Sequence, residues 1–270
     1  MTTYDRLPCT WCGGQNAPDA TSCDSCGAPL DVADMVSDAG WRAAPRIRDT
    51  TRFHFSRSEC EVEGEIVPVA EVTLGDGDGL FFEYHTLLWK DEHVALGALK
   101  IGGGLKRIFG GMPFVITTAT GPGRIAFSRD SPGELVVLPL HPQHEVDVRE
   151  HAFLVGTHSI EYSFVKIDGL GNMFRGGSGM FMERFVTSGE PGLLMLHGSG
   201  NVFERRLEAG ESVLVEPGAF LYKDSTVDMD VEKQDVKVGV VRSLFLVRFT
   251  GPGRLGIQSM YHPHHGGGEE

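Results

Sequence analysis

One phrase recurs along the chain at even spacing, and it limits the fold more than any other feature. The segment Leu87-Leu88-Trp89-Lys90-Asp91 returns as Phe220-Leu221-Tyr222-Lys223-Asp224. Midway between them, Ala152-Phe153-Leu154 lies under Ala219-Phe220-Leu221, with Gly156-Thr157 where the other copies have Lys-Asp. A second element keeps the same beat: TGPGRIAFS at 120–128, GEPGLLMLHG at 189–198 and TGPGRLGIQS at 250–259, each following an apolar run (FVITTA, FMERFV, LFLVRF). Two elements in register imply three units of about 65 residues. One such unit cannot hide an apolar face alone. Three packed around a pseudo-threefold axis can, leaving a central surface and grooves at the unit boundaries.

The units read as strands. Val227, Met229 and Val231 alternate with Asp228, Asp230 and Glu232, and Ile160, Tyr162 and Phe164 alternate with Glu161 and Ser163. Period two with one polar face describes half-buried strands. Pro-Gly pairs at 122–123, 132–133, 191–192, 217–218 and 252–253 predict type II turns, with proline setting the first central φ and glycine supplying the second. The 36 glycines fit a chain of many turns. The expected class is all-β: a three-repeat double-sheet sandwich or barrel over residues 53–262, preceded by a linker at 31–52 with a short helix near Val32–Ala39, and followed by a disordered tail at 263–270.

Residues 1–30 read as a zinc ribbon. Cys9-Thr10-Trp11-Cys12 and Cys23-Asp24-Ser25-Cys26 are two CxxC pairs, each followed by glycine (Gly13, Gly27). A CxxC turn sets two thiolates on one side of an ion and a second pair closes a tetrahedral cage. Four ligands leave no open position, so the expected Zn2+ is structural. The fifth cysteine, Cys60, lies in an alternating stretch and reads as a small core residue.

The formal net charge of −13 opposes phosphate backbones and anionic lipid surfaces. Arg46, Arg48 and Arg52 form the one dense basic cluster. No apolar run approaches the ~20 residues that span a bilayer, no leader pattern opens the chain, and the cysteine usage suits a reducing compartment. The expectation is a cytoplasmic protein without a transmembrane segment.

His141, His144, His151 and His158 fall close together and, with Glu145 or Glu150, offer a metal-binding set in a double-sheet fold. The proline in His141-Pro142-Gln143-His144 marks a loop, and His151 and His158 would face opposite sides of one strand, so loop or surface histidines are expected. The C-terminal YHPHHGGGEE reads as a tail. The glycine runs 102–104 and 176–179 lack the lysine and hydroxyl of a phosphate loop and read as connectors; Lys100, Lys106 and Arg107 beside the first leave weak anion binding open. Asp91 and Asp224 read as turn acids that accept backbone amides, and the Lys-Asp pair as turn decoration. No nucleophile with a base stands out.

The runs GMFMERFVTSGEPGLLML, LEAGESVLVEPGAFLYKDSTVDM and LFLVRFTGPGRLGIQSMY resemble the "altered inheritance of mitochondria" family, over about residues 55–261. The resemblance implies a β-rich double-sheet fold similar to the trp RNA-binding attenuation protein, and a scaffold-like part in inner-membrane organisation for the mitochondrial branch. It supplies no catalytic residues. This chain differs by its cysteine module, and by Gly110-Gly111-Met112 and Gly177-Ser178-Gly179 where many members have an acid after two glycines.

The expected function is a non-enzymatic scaffold or adaptor with a protein partner. A small-ligand or metal-binding sensor is the alternative, and a nucleic-acid binder, disfavoured by charge, is the second.

Overall fold

The computed structural model describes residues 51–99, 108–109, 112–113, 116–167, 180–187, 189–238 and 240–260, and before them 7–8, 14–17, 20, 22–25, 30, 39 and 41–43. The chain divides into two compact units, Met1–Ala43 and Ala44–Glu270. In the first, Leu7–Pro8 pairs with Gln15–Asn16. Cys23 and Leu30 are buried there, and the Asp24 amide donates to Asn16 Oδ1 at 3.0 Å. Cys9, Cys12 and Cys26 lie outside the described residues, as do the predicted helix but for Ala39, both glycine runs with Lys100, Lys106 and Arg107, the Gly110-Gly111 and Gly177-Ser178-Gly179 phrases but for Met112, and the tail.

The second unit is nearly all β: its described residues hold two 3-10 turns and no α-helix. No helix among the described residues is long and apolar enough to cross a membrane. Strands β1 (Thr51–Phe55) and β2 (Ser58–Glu63) lead into three sets of six matching strands. The first set is β3 (Val69–Leu74), β4 (Gly79–Glu83), β5 (Leu87–Lys90), β6 (Ala95–Ala98), β7 (Ile116–Thr120) and β8 (Gly123–Phe127). The second is β9 (Gly133–Leu140), β10 (Glu145–Arg149), β11 (Phe153–Thr157), β12 (Glu161–Ile167), β13 (Met180–Val186) and β14 (Gly192–Ser199). The third is β15 (Val202–Leu207), β16 (Ser212–Val215), β17 (Phe220–Asp224), β18 (Asp228–Val238), β19 (Val240–Thr250) and β20 (Gly253–Gln258). A short hairpin, Ile108–Phe109 with Met112–Pro113, precedes β7.

Internal pairing is the same in every set, and all of it is antiparallel. The first strand pairs with the sixth (β3–β8, β9–β14, β15–β20). The third also pairs with the sixth (β5–β8, β11–β14, β17–β20), each time with a register shift. The fifth pairs with the second and the fourth. The repeat in the sequence is therefore a repeat of connectivity.

Between sets, the third strand of one pairs with the second strand of the set before it. β11 joins β4 (Gly156↔Phe81), and β17 joins β10 (Lys223↔Asp147). The remaining combination does not form: β5 and β16 lie in separate sheets and are not hydrogen-bonded to each other. Two seams of the threefold plan are closed by strand pairing and one is not.

The β11–β4 seam lies in a six-stranded sheet, ordered β9-β14-β11-β4-β7-β6, and the β17–β10 seam in a second sheet that holds β12-β13-β10-β17-β20-β15. In the six-stranded sheet β9, β14, β11 and β4 are buried on both faces, with alternate side chains going to two cores. Phe81, Val136, Leu138, Leu194 and Leu196 join Phe153, Phe185 and Tyr222 in one core. Leu80, Phe82, Leu135, Val155 and Met195 join Val72, Ile125, Phe127 and Cys60 in the other. Two-sided burial explains why Leu135–Leu138 and Leu193–Leu196 read as unbroken apolar runs and not as alternation. Cys60 is the core residue its setting predicts, and burial pushes its thiol up to about 12.

The recurring Lys-Asp turn has a shared duty. Asp91 Oδ2 accepts the Arg124 amide at 3.0 Å, and Asp224 Oδ2 accepts the Arg254 amide at 2.8 Å. In the middle set Thr157 Oγ1 accepts the Leu193 amide at 3.0 Å. Each bond ties the end of the third strand to the start of the sixth. The turns at those starts differ from the type II expectation in two cases: the Gly121–Pro122 and Gly251–Pro252 peptides are cis, with Gly123 and Gly253 at φ 136° and 142°.

Candidate functional site

The loops that join the second strand of a set to its third are equivalent: Glu83-Tyr84-His85-Thr86, Arg149-Glu150-His151-Ala152 and Glu216-Pro217-Gly218-Ala219. Adjacent loops touch. Arg149 Nη1 donates to Gly218 O at 2.7 Å and to Pro217 O at 3.2 Å. At the other seam, His85 and His151, which hold the same place in their sets, approach with ring centroids 6.1 Å apart.

Between these histidines lies Glu83, the last residue of β4, 1% exposed. Its Oε2 is 3.0 Å from His85 Nε2 and 3.4 Å from Arg129 Nη1, and its Oε1 is 3.8 Å from His151 Nδ1. Arg129 Nη1 also rests against His85 Nε2. His151 Nε2 in turn faces Glu150 Oε1 at 3.8 Å. The His151 backbone is left-handed, φ 65°, a conformation uncommon for a residue other than glycine.

Burial would raise the Glu83 acid, but the two imidazoles and the Arg129 guanidinium outweigh it and hold the carboxyl down at about 2. The Glu83 carboxylate raises His151 against the effect of burial. Glu183 behaves oppositely. It is fully buried on β13, accepts from Tyr162 Oη at 2.8 Å, and is pushed well above the usual carboxylate range by burial and by the charge of Glu83. A charged and a neutral carboxyl thus stand together beside two imidazoles.

Of the four histidines singled out in the sequence, only His151 reaches this cluster. His144 Nε2 lies 3.0 Å from Asp224 Oδ1, within a network with Arg254. His141 and His158 line a cavity of about 450 Å³ together with His54, Asp78 and Ser159. Glu145 faces Arg184 at 3.5 Å. The sequence reading missed Glu83 and His85. Extending the repeat alignment five residues upstream, from Leu88 to Glu83, would have placed His85 over His151.

The structure corrects the reading of Lys223 as turn decoration. Its side chain is buried, donates to Asp147 Oδ2 at 2.9 Å, and shares that acid with Arg184, whose Nε donates to Oδ1 at 2.6 Å. Burial opposes ionisation of Asp147, but Arg184 and Lys223 hold its carboxyl below the usual range. Lys90, at the equivalent place, donates to the backbone oxygens of Asp91 at 3.1 Å and Glu92 at 3.5 Å within its own turn. Arg52, from the dense basic cluster, is paired with Glu61 at 2.9 Å.

The unclosed seam has a second distinction. Leu88 and Trp89 on β5 are 56% and 37% exposed, whereas their equivalents, Leu154 and Val155 on β11 and Leu221 and Tyr222 on β17, are fully buried. Tyr84, just upstream, is exposed as well. The guanidinium of Arg124 sits 5.7 Å from the Trp89 ring centroid.

A family model described as mitochondrial biogenesis AIM24 matches residues 60–260. A Streptococcus pyogenes protein of known crystal structure superposes with a TM-score of 0.58 at 19% identity, covering 76% of this chain and 94% of that one. At that identity the likeness is one of fold. No curated protein matches the chain.

Proposed function

The chain belongs to the mitochondrial biogenesis AIM24 family, and from the strand edge it leaves open we propose that it works as a non-enzymatic scaffold or adaptor acting through a protein partner. The supporting observation is β5. Its equivalents are each covered by a neighbouring set, while β5 presents Leu88 and Trp89 to solvent beside an edge that pairs with no other strand among the described residues. An edge strand with apolar, aromatic side chains is suited to pairing with an extended segment of another chain: backbone hydrogen bonds give affinity and alternate side-chain pockets give selectivity. The net charge of −13 favours a basic or neutral segment over an acidic one. In this reading Cys9, Cys12, Cys23 and Cys26 hold a structural Zn2+ in an N-terminal ribbon.

The test is co-purification from the native cell with the wild-type chain and with a Leu88→Glu, Trp89→Ser variant. Leu88 is more than half exposed and Trp89 more than a third, so the variant should keep its fold, which circular dichroism checks. Loss of specific partners in the variant supports the proposal. An unchanged partner set overturns it.

A further inference from the structure

We propose that Glu83, His85 and His151 form a binding site for a divalent transition-metal ion at the seam between the first and second sets, with open positions toward solvent. The three residues come from two equivalent loops, and one ligand atom from each lies within 4.8 Å of the others. Two imidazoles and one carboxylate suit zinc, iron or nickel, and a set of three protein ligands leaves room for water or a small anion.

Three features support a built site. Glu83 Oε1 is buried and has no hydrogen-bond partner among the described residues, and it faces His151 Nδ1. The other ring nitrogen of His151 faces Glu150, which is the arrangement by which an outer carboxylate orients a metal-binding imidazole. Finally, a cation already stands where the ligands converge: Arg129 Nη1 touches both Glu83 Oε2 and His85 Nε2. His85 Nε2 lies between the Glu83 carboxylate and the Arg129 guanidinium, so the nitrogen that would ligate already points to the centre of the cluster. Metal binding in this geometry is an exchange, in which the ion takes the place of one guanidinium nitrogen and Arg129 turns aside. The carboxylates near the site, Glu83 and Glu150, outnumber the single arginine, so a divalent ion is favoured electrostatically. This site is independent of the open β5 edge and of the cysteines.

The experiment uses the full chain and Co2+, whose spectrum separates thiolate ligands from nitrogen and oxygen ligands. The wild type should take up a cobalt ion that shows d–d bands without thiolate charge transfer, beyond any held by the cysteines. His85→Ala combined with His151→Ala should lose that ion; both side chains are partly exposed, so the fold should persist by circular dichroism, with a lower urea midpoint because buried Glu83 loses two of its partners. Arg129→Gln, which removes the competing cation, should bind Co2+ more tightly, on the order of tenfold. Equal uptake and an identical spectrum in the wild type and the double histidine variant would overturn the proposal.

Discussion

Lys223 and Asp147 meet across the seam between the second and third sets, Nζ to Oδ2 at 2.9 Å, with both side chains almost fully buried. Their backbones are register partners of β17 and β10. The same register place in the preceding seam holds Gly156 opposite Phe81, and a Cβ on Gly156 would come within 2.7 Å of the Phe81 ring. One seam is locked by charge, the other by a ring laid over a glycine.

Removing Lys223 leaves Asp147 buried with half its cationic support. Lys223→Ala should cost about 3 kcal/mol, whereas Lys90→Ala, at the equivalent place on the unclosed seam, should stay within about 0.5 kcal/mol. Urea denaturation of the two variants measures the difference.

Gly156→Ala forces a methyl against Phe81 and should cost roughly 1–3 kcal/mol. Adding Phe81→Leu should cost less than the sum of the two single changes, because the smaller side chain makes room. A double-mutant cycle of unfolding free energies reads the coupling, and strict additivity would contradict the packing described.

The two acids at the histidine cluster predict opposite pH effects. Glu83 is held at about 2, so it stabilises the fold above the usual carboxylate range and that stability is lost as pH falls toward 2. Glu183 is raised, so the fold keeps a proton that the unfolded chain releases, and stability declines as pH rises above the usual range. Glu183→Gln should therefore gain on the wild type as pH goes from 5 to 8, by up to about 1.4 kcal/mol per unit. Glu83→Gln should instead lose most at neutral pH. Urea midpoints at several pH values test both signs.

Asp224 accepts the Arg254 amide and also pairs with the Arg254 guanidinium and His144, whereas Asp91 is more exposed and pairs with Arg124 at 3.5 Å. Asp224→Ala should be the more damaging of the two, by at least about 1 kcal/mol. Thermal unfolding of the pair decides it.

The fold was legible because the triplication is written in local phrases: an apolar strand, a turn and a returning strand. The duties of individual residues were not. Lys223 looked like part of a surface turn because its partner, Asp147, belongs to another set, and nothing in FLYKD announces a buried acid on a neighbouring strand. His151 looked stranded for a similar reason: its companions, Glu83 and His85, come from the preceding set. Alternation failed as a guide at Leu193–Leu196, where both faces of a strand are buried.

The bond from Asp91, Thr157 or Asp224 to the amide opening the sixth strand asks only for an acceptor oxygen at one point in space. Carboxylate and hydroxyl meet that demand equally, so the position is specified by atom type and not by charge. A protein built this way can trade electrostatic identity from unit to unit while its hinge dimensions stay fixed. That freedom lets one blueprint yield a charged seam, an aromatic seam and an open edge within a single chain.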